Sequence, residues 1–201
     1  MVPKFINDFF RKLRLKFSNR NLNKPLTLIS NNCLAGCVLH DYKMRFDTPT
    51  INLYIPFPDY ILFLQKFEYF VNADFEEIKD ELVSYPIGLL GGEIKVNFLH
   101  YNSFEQAVEA WRRRAKRIHY DNIKVVLVER DGCTAKDLMD FDNLPFANKV
   151  ALTRRNNLNL KSSFHFKGYD DKEELGNIMF YKGFLGKKIY DKFDWWPFLN
   201  K

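Results

Sequence analysis

The run Ile123-Lys124-Val125-Val126-Leu127-Val128 constrains this chain more than any other stretch. It is rich in β-branched residues, almost wholly apolar, and stops at Glu129-Arg130-Asp131-Gly132. A strand with one face to water alternates polar and apolar residues. A strand without that alternation is covered on both faces, which is the habit of parallel sheets. Both faces then need covering layers, so the run predicts a layered α/β/α domain with a mostly parallel or mixed sheet. The chain has 201 residues, 46% of them hydrophobic, enough for such a core in one domain over 24–201. Twenty Phe and ten Tyr make that core rich in rings.

Other stretches supply the partners of this strand. Leu26-Thr27-Leu28-Ile29-Ser30 is a short strand-like run ending in the polar loop Asn31 to Gly36. Thr50 to Ile55 alternates and stops at Pro56, which reads as a second strand. A helix is expected from Asp59, with Tyr60, Phe63, Leu64 and Phe67 on its apolar face, and another short helix over 74–82. Gly91-Gly92 makes a turn, and 93–99 alternates as a third strand that delivers His100. Ser103 and Gln106 form a capping pair for a helix running to about 118. Residues 123–128 are then the fourth strand, and Thr134 can cap the helix after it. Lys149 to Leu152 is a fifth strand, ending at Thr153-Arg154-Arg155. Beyond Ser163 strand signals fade. Helical pieces are expected near 171–180 and 186–193, in a tail that wraps the sheet.

Residues 1–17 read as a basic amphipathic helix, with Ile6, Phe10, Leu13 and Phe17 at helical spacing among Lys4, Arg11, Lys12, Arg14 and Lys16. Residues 18–25 are a polar linker. Such a helix could lie on an anionic membrane surface, cap the domain or bind a partner. The net charge of +6 favours an anionic partner: a phosphorylated substrate, a cofactor phosphate or a membrane surface. No nucleic acid is expected, because the dense Lys/Arg stripe of a dedicated binder is missing. Three cysteines form no disulfide framework, and no apolar run approaches the roughly 20 residues of a membrane span. Charges interrupt every apolar stretch near the N-terminus, so no signal peptide is read there. The expected compartment is the cytoplasm, with peripheral placement on the inner membrane face as an option.

Ligands of open α/β sheets bind outside the carboxyl ends of the strands. The first, third, fourth and fifth expected strands all end in chemically capable residues. If they are parallel neighbours, those ends meet on one rim. Cys33 is the candidate nucleophile, His40 or His100 the base, and Asp131 the residue that orients a histidine or a substrate hydroxyl. Asn31 and Asn32 offer the amide donors of an oxyanion hole, and Gly36 permits close backbone approach. Arg113 and Arg117 from the basic helix, with Arg130 and Thr134, are the candidates to hold cofactor phosphates. Plainer readings stand beside these. Free cysteines are commonly small buried residues. Asp131-Gly132-Cys133-Thr134 suits a turn plus a helix cap, and the arginine run 112–117 suits a solvated helix face. Cys33, Cys37, His40 and Cys133 carry soft ligand atoms, but their spacing matches no usual zinc site, so no metal is expected.

Several of these stretches together resemble a known bacterial family. They are Ile29-Ser30-Asn31-Asn32-Cys33 with Gly36 and His40-Asp41, then Phe46-Asp47-Thr48-Pro49-Thr50-Ile51-Asn52-Leu53. Tyr85-Pro86-Ile87-Gly88, Phe98-Leu99-His100-Tyr101, Trp111 to Ile118, Tyr120-Asp121-Asn122 and Asp131-Gly132-Cys133-Thr134 complete the set. The family is of unassigned chemistry and carries the label exopolysaccharide or capsular polysaccharide biosynthesis protein. The resemblance spans about 26–155 and implies an α/β fold and a role in making surface glycans. Asn31-Asn32-Cys33 is also similar to a Gly-Asn-Cys motif after the first strand of some capsule acetyltransferases, with Asn31 standing where those have glycine. The expected activity is acyl or acetyl transfer to a glycan precursor, with acetyl-CoA as cofactor. The alternatives are a glycosyltransferase or sugar-nucleotide enzyme and a non-catalytic assembly protein. For the first of these Asp41, Asp47 and Asp131 are present, but no Asp-x-Asp pair stands at a strand end.

Overall fold

The computed structural model describes residues 3–18, 23–182 and 186–201, the side chains of 16–18 excepted. Met1, Val2 and residues 19–22, which fall in the expected helix and linker, lie outside the described residues. The helices are α1 (Lys4–Ser18), α2 (Leu34–Asp41), α3 (Asp59–Gln65), α4 (Phe67–Asn72), α5 (Phe104–Ala115), α6 (Ala135–Asp142) and α7 (Trp195–Leu199). The strands are β1 (Thr27–Ser30), β2 (Phe75–Ile78), β3 (Ile87–Leu90), β4 (Ile94–Asn97), β5 (Ile123–Val128), β6 (Lys149–Thr153) and β7 (Ser163–His165).

The nearly continuous apolar run is β5, and it lies inside a parallel sheet of order β1-β5-β6-β7. Its register sets Ile29 against Val125 and Val126 against Val150. Alternate residues feed two cores. Ile29, Val125, Leu127 and Ala151 pack with Tyr60, Phe63, Trp111 and Phe141 from α3, α5 and α6. Leu28, Val126, Val128 and Leu152 pack on the other side with Leu34 and Val38 of α2 and with Tyr190, Trp195 and Phe198 of the tail. This is the α/β/α layering expected from the nearly continuous apolar run. Each large side chain sealed here contributes roughly 1.5–3 kcal/mol by leaving water. The buried polar tips are bonded: Tyr60 Oη donates to Val126 O at 2.9 Å, and Trp111 Nε1 to Val71 O at 3.1 Å.

The chain between β1 and β5 departs from expectation. Residues 75–78, within the helix expected over 74–82, are strand β2 in an antiparallel sheet β2-β3-β4. Phe75 and Ile78 have helical spacing, but tertiary packing decides. The Phe75 ring lies 5.2 Å from that of Trp111 and 5.4 Å from that of Phe98. Gly88 makes room for it, since a Cβ there would fall 2.6 Å from the Phe75 ring. Leu82, which a helix would have turned inward, is 94% exposed. The expected strand at 50–55 keeps only a bridge between Tyr54 and Asn97, because Asn52 takes a left-handed φ of 61°. The expected third strand is β4, and its neighbour is β3, not β1. In the tail, 171–180 contains turns rather than a helix, and 186–193 reduces to one 3-10 turn at Ile189–Lys192. The short strand β7 went unread in the sequence. Among the described residues no helix is long and apolar enough to cross a membrane.

Candidate functional site

Three of the four expected strand ends meet at the carboxyl edge of the parallel sheet, and β7 adds a fourth with His165. After β1 the chain must turn at once into α2. Ser30 Oγ accepts Ala35 N at 2.9 Å and donates to Asn32 O at 2.5 Å, while Asn32 Oδ1 accepts Leu34 N at 3.0 Å. These bonds satisfy amides of the first turn, which a helix cannot satisfy itself. Asn31 Oδ1 accepts Val128 N at 3.2 Å, which holds the loop to β5, and Asn31 O accepts Ile55 N at 2.9 Å. Both asparagines thus spend the acceptor half of the amide on the fold. Among the described residues their Nδ2 donors have no partner, and the residues are only 0% and 6% exposed. A buried donor left unpaired costs about 1–3 kcal/mol, so native proteins keep few of them.

The β5 end carries charge. Glu129 is 1% exposed, and its Oε2 accepts Arg154 N at 2.8 Å and Arg155 N at 3.3 Å. Its Oε1 stands 3.3 Å from Arg154 Nε and 2.5 Å from Arg155 Nε. Arg130 Nε donates to Asp131 Oδ2 at 2.7 Å, and its Nη1 to Gly176 O at 3.3 Å. Asp131 and Gly132 turn with φ of 55° and 81°, and Asp131 N donates to Glu174 Oε2 at 2.6 Å. Tyr54, which the sequence did not single out, reaches in with Oη 3.5 Å from Asp131 O; burial pushes its phenol up to about 12. Glu129 was also missed, although an acid closing an otherwise apolar strand was a usable signal. The guanidiniums of Arg130, Arg154 and Arg155 are therefore held by carboxylates and carbonyls of the rim itself.

Cys33 is half-buried, with Sγ 3.9 Å from Leu53 O. Burial, and then the neighbouring Cys37, pushes its thiol up to about 11, while Arg130 pulls the other way. The sulfur is therefore a neutral thiol at ordinary pH. His40 is not joined to it: its side chain is 82% exposed, and Nδ1 lies 3.7 Å from Asp41 Oδ1. His100 follows β4 in the other sheet. Its backbone N donates to Asn52 O at 3.3 Å, and the residue is exposed. Among the described residues neither imidazole is hydrogen-bonded to Cys33, and Asp131 pairs with Arg130 rather than with a histidine. Thr134 Oγ1 and the Asp137 carboxylate complete a capping box on α6, so that hydroxyl is already committed. Gly36 sits inside α2, where a Cβ would meet Ile51 at an ordinary 3.6 Å.

Arg113 and Arg117 are not on this rim. The C-terminal end of α5 lies by the amino edge of the sheet, because Arg117 Nη2 donates to Phe46 O at 2.6 Å and Asp47 O accepts from Thr27 at the start of β1. Arg113 lies 3.7 Å from Glu109 on the exposed helix face. Two surface hollows of about 230 and 280 Å³ are also away from the rim. One lies beneath α1 beside Tyr42 and Trp195, and the other between Asn23 and Lys201. Among the described residues no three His, Cys, Asp or Glu side chains are grouped to hold a metal ion.

A layered α/β domain that gathers polar and charged residues at the carboxyl ends of its parallel strands is the class defined by this fold. The chain belongs to the family described as Domain of unknown function (DUF1919), whose model matches residues 5–200. It is also similar to an uncharacterized protein of Haemophilus influenzae (strain Rd), 36% identical over an alignment of 200 positions that covers 97% of this chain and 96% of that protein.

Proposed function

We propose that this chain is a transferase of bacterial surface-glycan biosynthesis that acylates a glycan precursor, with acetyl-CoA as donor. The observation that carries the reading is the pair of buried, unpartnered Nδ2 donors on Asn31 and Asn32. Sealed as they are, these donors meet a ligand only when the loop after β1 opens; donors left unbonded by the fold then suit an oxygen on which negative charge develops, and such groups are the largest single contribution in many acyl transfers. The glycan half of the proposal rests on the resemblance carried by residues 26–155. Because burial keeps the Cys33 thiol neutral, the reading takes the direct route. A sugar hydroxyl oxygen attacks the thioester carbonyl and forms the new ester bond. The carbon–sulfur bond breaks, and the hydroxyl proton ends on the departing thiol. Cys33 then lines the crevice.

The test is acetyl transfer to sugar-nucleotide acceptors by the whole chain, with melting followed in acetyl-CoA and in UDP-sugars. Asn32→Asp keeps the acceptor that caps α2 and removes the donor; turnover is expected to fall about 100-fold. Cys33→Ala is expected to stay within about threefold of the parent, as for a group outside the bond-making step. An equal loss in Cys33→Ala would return the thiol to the role of nucleophile. Stabilisation by UDP-sugars but not by acetyl-CoA would replace acyl transfer with sugar-nucleotide chemistry.

A further inference from the structure

Helix α1 is docked with its amphipathicity reversed. Its sealed side chains are polar, Asn7 and Arg11 being 5% and 4% exposed. The Arg11 guanidinium binds the Asp41 carboxylate, and donates to Gly186 O, Asp191 Oδ2 and Tyr190 Oη at 2.9 Å each. Asp8 accepts a hydrogen bond from Tyr181 Oη. The backbone at Gly186 packs so closely that any Cβ there would strike the backbone of Asn7 and Arg11. These contacts fix the roll of the helix: Ile6 and Leu15 are half-buried, while Phe5, Phe9, Phe10 and Leu13 are left outside. Phe5 is 73% exposed, Phe9 61%, Leu13 40% and Phe10 37%. A soluble surface rarely keeps so many large apolar groups together without a partner.

The charges around this face indicate which partner. Lys4 and Lys12 are exposed on α1, as are Lys182 and Lys187 on the tail segment that holds it. The single acid of α1, Asp8, is half-buried and engaged by Tyr181. Aromatic and aliphatic groups flanked by lysines, with no exposed carboxylate on the helix, are the composition of a helix lying in a lipid interface. Lysine is depleted from protein–protein interfaces, which weighs against a protein partner. We propose that α1 seats the protein on an anionic bilayer, its rings in the boundary between headgroups and acyl chains and its lysines at the lipid phosphates. The helix is about 22 Å long at 1.5 Å per residue and would lie flat. The proposal stands apart from the chemistry of the crevice, because binding is read without turnover.

The experiment is flotation of the full chain with vesicles of phosphatidylcholine alone and of phosphatidylcholine with phosphatidylglycerol. Binding is expected with the anionic vesicles and is expected to weaken as salt rises. The double variant Phe5→Ser, Phe9→Ser changes exposed positions, so its melting temperature should hold while its partition falls at least about tenfold. Lys4→Glu with Lys12→Glu should abolish the preference for anionic lipid. The proposal is overturned if the parent chain does not float with anionic vesicles, or if the Phe variant floats as well as the parent. It is also overturned if sedimentation shows a dimer of the parent that the same Phe substitutions dissolve, which would assign the face to a second copy.

Discussion

Arg11 beneath α1 and Asn31 after β1 are both nearly sealed from water, but their neighbours treat them differently. Around Arg11 the fold supplies Asp41, Asp191, Tyr190 and the Gly186 carbonyl, so the cation is matched by charge and by hydrogen bonds. Around Asn31 and Asn32 the fold takes the acceptor oxygens and leaves both Nδ2 groups without a partner. A polar cluster that is fully matched is explained by the fold it holds together. One that is half matched leaves donors free, and the proposed function assigns them to a group that is not part of the chain. On that proposal the contrast separates an anchor from a binding site, although the two are about equally buried.

The strongest way to break the contrast is to remove the acid of the anchor. Asp41→Ala leaves the Arg11 guanidinium without its nearest carboxylate, and should cost about 3–5 kcal/mol, as loss of one partner from a buried ion pair does. Chemical denaturation measures it; a cost below about 1 kcal/mol would place the anchor among ornamental ion pairs. The acid limb of stability tests the same group more gently. Burial alone would raise the Asp41 carboxyl, but hydrogen bonds from Arg11 and Tyr190 and the charge of Lys188 hold it below its ordinary value. Its contribution is therefore complete above the unfolded carboxylate range near ~4 and is lost as pH falls through the lower folded value. Melting temperature should stay level from neutral pH to about 5 and then decline, and the decline should be shallower in Asp41→Asn.

On the crevice side, Asn31→Ala removes the acceptor for Val128 N and should cost about 1–3 kcal/mol. A matching Asn32→Asp variant should lose ligand response with little change in melting. The smallest effect is chemical. Iodoacetamide should label Cys33 more slowly than a free cysteine at pH 8, with the rate climbing toward pH 11 as the buried thiol ionises. Rapid labelling at pH 8 would show that the thiol is more ionised than its surroundings allow, and would revive a nucleophilic role.

Elements that carry their own local reason are legible in the sequence. The nearly continuous apolar run is β5, the asparagine loop follows β1, and Ser103 and Thr134 cap α5 and α6 as their sequence positions suggest. Ser103 does so without the reciprocal half of a box, whereas Thr134 has one through Asp137. What stays hidden depends on distant residues. Strand β2 exists because Phe75 packs on Trp111 and against Gly88, and nothing within 74–82 announces this. The outward face of α1 is set by Asp41, Tyr190 and Asp191, which lie 30, 179 and 180 positions from Arg11. The amphipathic pattern is visible, but the pattern does not say which face the protein claims. The crevice is half legible: the strand ends are in the sequence, while the placing of β4 in a second sheet, which carries His100 away from β1, is not.

The long excursion between two neighbouring strands has a consequence for synthesis. Thr27 of β1 pairs with Ile123 of β5, and the residues between them build α2 to α5 and the whole antiparallel sheet. On a ribosome adding about 5–20 residues per second, β1 waits roughly 5–20 s for its neighbour β5. During that interval Leu28 and Ile29 have no β5 beside them, and their apolar surface stays open to water. A message truncated before codon 128 would also yield a product without Val128, the residue that positions Asn31, and such a fragment should be inert toward any ligand of the rim.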